Sequence, residues 1–190
     1  MQRASRSKAT GWHIALLRGV NVSGKRMLPM AELAKMFAAA GCGDVKTYIQ
    51  SGNVVFCADD GVVDKLAGLI TQQIEERFGC KVPVVLRTAA ELGEVVRSNP
   101  FLKAGAVEDS LHVYFLAGIP ATGDVAGLDA GRSAPDAFAV VGREIYLQLP
   151  NGMGRTKLTN AYFDSKLKTV STARNWRTVL KLLEMVGESG

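Results

Sequence analysis

The chain has 190 residues, 47% hydrophobic and 22% charged, with 23 Lys and Arg against 18 Asp and Glu and a formal net charge of +5. This composition excludes a disordered chain, which carries fewer apolar residues and a larger charge imbalance, and the length suits one domain or two small ones. It also excludes a membrane-spanning helix near the N-terminus, because the apolar run Ile14 to Leu17 stops at Arg18, far short of about 20 residues.

The charge is uneven. Residues 1–11 carry Arg3, Arg6 and Lys8 with no acid and read as a basic disordered tail. Residues 12–150 hold 13 basic and 15 acidic side chains, whereas residues 151–181 hold seven basic and one acidic. A +6 segment therefore sits on a slightly acidic body. Cys42, Cys57 and Cys80 form no CxxC pair, which argues against a zinc ribbon or disulfide framework and for buried thiols in a cytoplasmic protein.

In chain order, residues 12–18 read as a strand ending in a Gly/Asn/Ser-rich loop. Pro29 suits the first turn of a helix over 30–40 that Gly41 stops. Residues 45–50 and 53–57 are β-rich runs joined across Ser51-Gly52, a hairpin signal. Apolar residues three and four apart predict a helix over 62–78, and residues 82–87 a strand that Pro83 pushes toward an edge or a strand start. The order β-α-β-β-α-β is the ferredoxin-like pattern. Thr88, with Glu91 three residues on, predicts a capped helix to about Ser98 that Asn99-Pro100 breaks.

A second series follows. It has strands at 111–116, 137–141 and 144–149, a weak helix within 121–131, a helix over 156–167, a short strand at 169–171 and a final helix over 175–186. His13 to Val20 aligns without gaps on His112 to Ile119, and Asn53 to Phe56 on Glu144 to Leu147, so the two series read as one motif used twice. The expected fold is α+β, two ferredoxin-like subdomains with a C-terminal helix. Residues 12–87 form the first, 88–110 a linking helix and loop, and 111–190 the second.

Gly19 to Lys25 has the GxxxxGK spacing of a phosphate-binding loop after a strand. Arg26 stands where a Ser or Thr must hold Mg²⁺, and Pro29 delays the helix, so a nucleoside triphosphatase is rejected. Arg18, Asn21, Lys25 and Arg26 remain as an anion-binding loop. Tyr48, Gln50 and Asn53 at the hairpin are neighbours if it packs beside the first strand. Arg174, Arg177 and Lys181 would present positive charge near the start of the last helix, where the helix dipole opposes it unless an anion binds, and Arg174, Asn175 and Arg177 would line that side of the site, Asn175 or Thr172 capping the helix. Trp176 is placed in the core by its spacing to Val179 and Val186. No catalytic acid–base pair, metal-ligand spacing or cofactor motif stands out, and the RNP1 pattern of RNA-binding sheets is missing.

The blocks Leu16–Lys25, Pro29–Leu33, Thr47–Phe56 and Thr172–Leu182 resemble the bacterial family called domain of unknown function 1697. The resemblance implies an α+β protein with ferredoxin-like subdomains and no established activity, cofactor or substrate. The expected function is a cytoplasmic binding module, monomeric or homodimeric, for a phosphate-bearing ligand or nucleic acid. The alternatives are an enzyme acting on a small phosphorylated substrate and an interaction module with no small ligand.

Overall fold

The computed structural model describes residues 10–21 and 28–187, so most of the basic tail, Lys25 and Arg26 lie outside the described residues. The first subdomain runs β1 (Thr10–Leu17), α1 (Met30–Ala39), β2 (Gly43–Tyr48), β3 (Asn53–Asp59), α2 (Asp60–Phe78) and β4 (Val84–Thr88). Its antiparallel sheet has the order β2-β3-β1-β4. After α3 (Ala89–Arg97), the short α4 (Pro100–Lys103) and a 3₁₀ turn at Glu108–Ser110, the pattern repeats. The second series is β5 (Leu111–Leu116), α5 (Thr122–Ala126), β6 (Ala137–Val141), β7 (Glu144–Gln148), α6 (Asn160–Leu167), β8 (Ser171–Asn175) and α7 (Trp176–Gly187). Its sheet order, β6-β7-β5-β8, matches the first strand for strand.

Alternation along the central strands decides the layering. In β1, Ala15 and Leu17 face α1 and α2, packing with Leu33, Phe37, Leu66 and Ile70. Ile14 and Leu16 face the other way. In β5, Tyr114 and Leu116 pack on α6 through Phe163 and Leu167, while Leu111, Val113 and Phe115 face inward. The two inward faces meet in one core with Leu92 and Val95 of α3 and Trp176, Val179 and Leu182 of α7. Both faces of each central strand are thus buried, which is why β1 and β5 read as nearly unbroken apolar runs.

The repeat extends through the last helices. Thr88 ends β4 and caps α3 with a full capping box to Glu91. Asn175 ends β8 and accepts from the Thr178 amide at 2.8 Å, capping α7. In register, His13 lies opposite Thr88 and His112 opposite Asn175. The helix expected as a linker is therefore the first copy of the C-terminal helix.

Besides the unexpected α4 and 3₁₀ turn and the earlier starts of β1, β2 and α2, two elements differ from expectation in ways that bear on the candidate site. The last strand is Ser171–Asn175, not 169–171, because its polar run Ser-Thr-Ala-Arg-Asn carries no apolar alternation and is held by pairing to β5. As a result Arg174 is a strand residue and not part of the α7 surface. Helix α6 begins at Asn160, because Thr159 supplies the cap by accepting from the Tyr162 amide at 3.2 Å.

Candidate functional site

The subdomains are joined along a seam by two arginines in equivalent places. Arg87 on β4 donates through Nη2 to the carbonyls of Leu116 (2.8 Å) and Arg143 (3.1 Å), and through Nε to Glu144 (2.8 Å). Arg174 on β8 donates through Nη2 to the carbonyls of Leu17 (2.8 Å) and Gly52 (3.2 Å), and through Nε to the Asn53 side chain. Each Nη1 bonds the preceding carbonyl, Leu86 or Ala173. Leu17 and Leu116, and Asn53 and Glu144, are aligned pairs in the repeat. Each half thus sends one guanidinium into the other to satisfy a strand end and a hairpin.

The two copies differ in charge. Glu144 faces Arg87, but Arg174 meets only neutral acceptors, and burial pulls its pKa down to about 10. Desolvation also lowers the pKa of Arg87, with Glu144 acting against it. Both guanidinium groups carry their positive charge at neutral pH, and every nitrogen of each donates to at least one protein acceptor.

Arg18, Asn21, Gln50, Asn53 and Arg174 come together at one end of the seam. Asn21, at φ 55°, donates to the carbonyls of Leu28 (2.9 Å) and Gln50 (2.7 Å) and accepts from the Leu28 amide (2.8 Å). It thereby ties the first strand's exit and Leu28 to the hairpin tip. Asn53 is buried and donates to Ser51 and to the Tyr48 carbonyl. Arg18 pairs with Asp164 on α6, whose other oxygen accepts from the buried Ser171 hydroxyl at 2.6 Å. Asn175 and Arg177 are elsewhere, at the start of α7, where Arg177 forms an exposed pair with Asp109 at 3.0 Å.

After β5 the repeat leaves an opening. The Arg18 amide donates to the Pro83 carbonyl at 3.0 Å, and the Ala117 amide donates to Val170 at 2.8 Å in the matching place after β5. Arg18 spans the seam to α6, but the methyl of Ala117 cannot reach α2. A cleft of about 520 Å³ lies there. One wall is the Ala67, Gly68, Thr71 and Glu75 face of α2; Ala117 and Val170 form the other, with Lys81 and Pro83 also lining the cleft. A Cβ built on Gly68 would meet nothing within 4 Å.

The histidines sit at matched strand positions. Burial pushes both pKa values below the ordinary range; the Ala58 backbone opposes this at His13 and the Ser110 backbone at His112. Neither ring nitrogen of His13, nor Nδ1 of His112, closes a hydrogen bond within the protein. Burial raises the Cys42 thiol to about 11, so it is no nucleophile at neutral pH. Among the described residues no group of three or more His, Cys, Asp or Glu is placed to hold a metal ion, and no helix is long and apolar enough to cross a membrane.

Sequence reasoning did not single out Arg87, Gly68, Lys81 or Ala117. Arg87 had a signal: an arginine ending an apolar strand, followed by a helix cap, as in Ala173-Arg174-Asn175. Gly68 had another, a lone glycine inside a helical pattern.

Comparison with known proteins agrees with this architecture. No curated protein matches the chain. Among solved structures, the conserved bacterial protein SP0830 from Streptococcus pneumoniae is similar over 94% of this chain and 99% of its own, with a TM-score of 0.69 and 20% identity, a likeness of fold. The family model described as Protein of unknown function (DUF1697) matches residues 11–146, ending before the 172–182 block. With most of the chain matched and the fold in agreement, the protein belongs to the DUF1697 family.

Proposed function

We propose that this protein is a cytoplasmic binding module for a small phosphate-bearing ligand, received in the cleft between α2 and Ala117. The observation that carries this reading is the cleft itself: about 520 Å³, mostly apolar, at a subdomain seam, with Lys81 as its cation. Ligand pockets typically have this size and favour such junctions. The three unpaired thiols suit a reducing compartment.

Nucleic acid is the weaker reading. Of the seven cations in residues 151–181, Arg174 is buried, and Lys168, Arg177 and Lys181 pair with Asp124, Asp109 and Glu184. That leaves Arg155, Lys157 and Lys166, about half of the +6, to neutralise a phosphate backbone. The test is a thermal-shift panel of phosphorylated small molecules and a single-stranded oligonucleotide, run on the wild type and on Gly68→Leu. A small phosphorylated compound should raise the Tm of the wild type only. Salt-sensitive stabilisation by the oligonucleotide, equal in both proteins, would reject the proposal.

A further inference from the structure

The chemistry of the cleft wall narrows the ligand. The hydroxyl of Thr71 donates to the Val82 carbonyl at 3.0 Å, and the Gln72 amide donates to Glu76 at 2.8 Å. Thr71 keeps only its acceptor lone pairs and Gln72 one N–H and its carbonyl oxygen, so the wall offers few polar groups to read sugar hydroxyls. No lining side chain is aromatic, so nothing offers a stacking surface for a base. Ala67, Pro83, Val84, Ala117 and Val170 instead offer aliphatic contact.

Charge enters at one place. Lys81 is exposed and forms no ion pair among the described residues, including with Glu75 across the same cleft. A lysine ammonium is a compact point charge, suited to phosphate more than to the planar two-point recognition of a carboxylate that arginine provides. A phosphate monoester carries about −1.5 to −2 near neutral pH, so it gains more from this cation than a monoanion does. Glu75 repels such a head group and leaves it the Lys81 side.

Resting on the reading above, we infer that the ligand is the monophosphate ester of an aliphatic alcohol, its chain along the α2–Ala117 walls and its phosphate at Lys81. Sugar phosphates and nucleotides are poor fits.

Calorimetric titration of the full-length protein tests this with octyl phosphate, octanol and ribose 5-phosphate. Octyl phosphate should bind best, and Gly68→Leu should weaken it by at least about tenfold by filling the cleft. Ala117→Leu, at an exposed position on the facing wall, should act alike and guards against a helix effect at residue 68. Lys81→Gln should bring octyl phosphate down to the level of octanol. Octanol binding as tightly as octyl phosphate in the wild type overturns the inference. Ribose 5-phosphate binding more tightly than octyl phosphate, in a manner lost in Gly68→Leu, overturns it but leaves the phosphate-ligand reading standing. Binding that both cleft-filling variants leave unchanged, or no binding by any of the three, overturns both.

Discussion

At the scale of single residues, two neighbouring arginines show how differently the same side chain can be used. Arg18 and Asp164 are each partly exposed, so water screens their attraction. Arg174 is 7% exposed and holds the Leu17, Gly52 and Ala173 carbonyls and the Asn53 side chain at once. Arg174→Met removes those bonds from a dry seam, leaving, among the described residues, the Gly52 carbonyl only the Leu17 amide and the Leu17 carbonyl only the Thr172 hydroxyl as donors. It should cost about 3 kcal/mol, the loss of several charge-assisted bonds less the desolvation recovered with the charge. Arg18→Met should cost under about 1 kcal/mol. Urea denaturation of both variants measures the gap. Equal losses would mean that the Arg174 bonds contribute no more than a surface pair. The sequence marked Arg18 in a Gly-rich loop and Arg174 near a helix start as ligand residues, because a cation in either setting looks the same whether its acceptors are phosphates, carboxylates or carbonyls. The register of β8, which turns Arg174 inward, is a tertiary fact.

At the scale of elements, the hairpin between β2 and β3 was legible because its turn residue is forced. Gly52 has φ +71°, and a Cβ there would lie 2.6 Å from Val20 Cγ2 and 2.7 Å from Leu17 Cβ. The left-handed backbone costs an alanine about 1–2 kcal/mol and the overlap about 1–3 kcal/mol more, so Gly52→Ala should lose about 3 kcal/mol. Gly68 is helical with open space at its Cβ, so Gly68→Ala should gain up to about 1 kcal/mol. Opposite shifts in the urea midpoint are expected, and a loss at Gly68 would mean that the α2 wall does not have the room described. Elements with local codes, such as the Thr88–Glu91 capping box and the apolar period of α2, could be read in advance. β8 could not, since its five residues, Ser-Thr-Ala-Arg-Asn, form a strand only because β5 is there to pair with them.

At the scale of the molecule, the repeat was visible as eight aligned positions with a shared histidine first and a shared glycine seventh, but what joins the copies was not. A shared core is a property of two faces brought together, and neither copy's sequence records its partner. That core, with Ile14 and Leu16 from one sheet and Val113 and Phe115 from the other around α3 and α7, should make the halves unfold as one unit. The chain has two tryptophans, Trp12 on β1 and Trp176 at the start of α7, so each subdomain has its own reporter. In Trp176→Phe, the urea transition followed by Trp12 fluorescence should coincide with that followed by far-ultraviolet circular dichroism. In Trp12→Phe, Trp176 should report the same coincidence. Arg87→Met, which cuts only the β4 end of the seam, should lower both midpoints together. An early transition in one reporter, with the other unmoved, would show two independent domains that merely touch. In that case the cleft between α2 and Ala117 could widen without unfolding either half, and its shape would no longer be set by the reciprocal arginines.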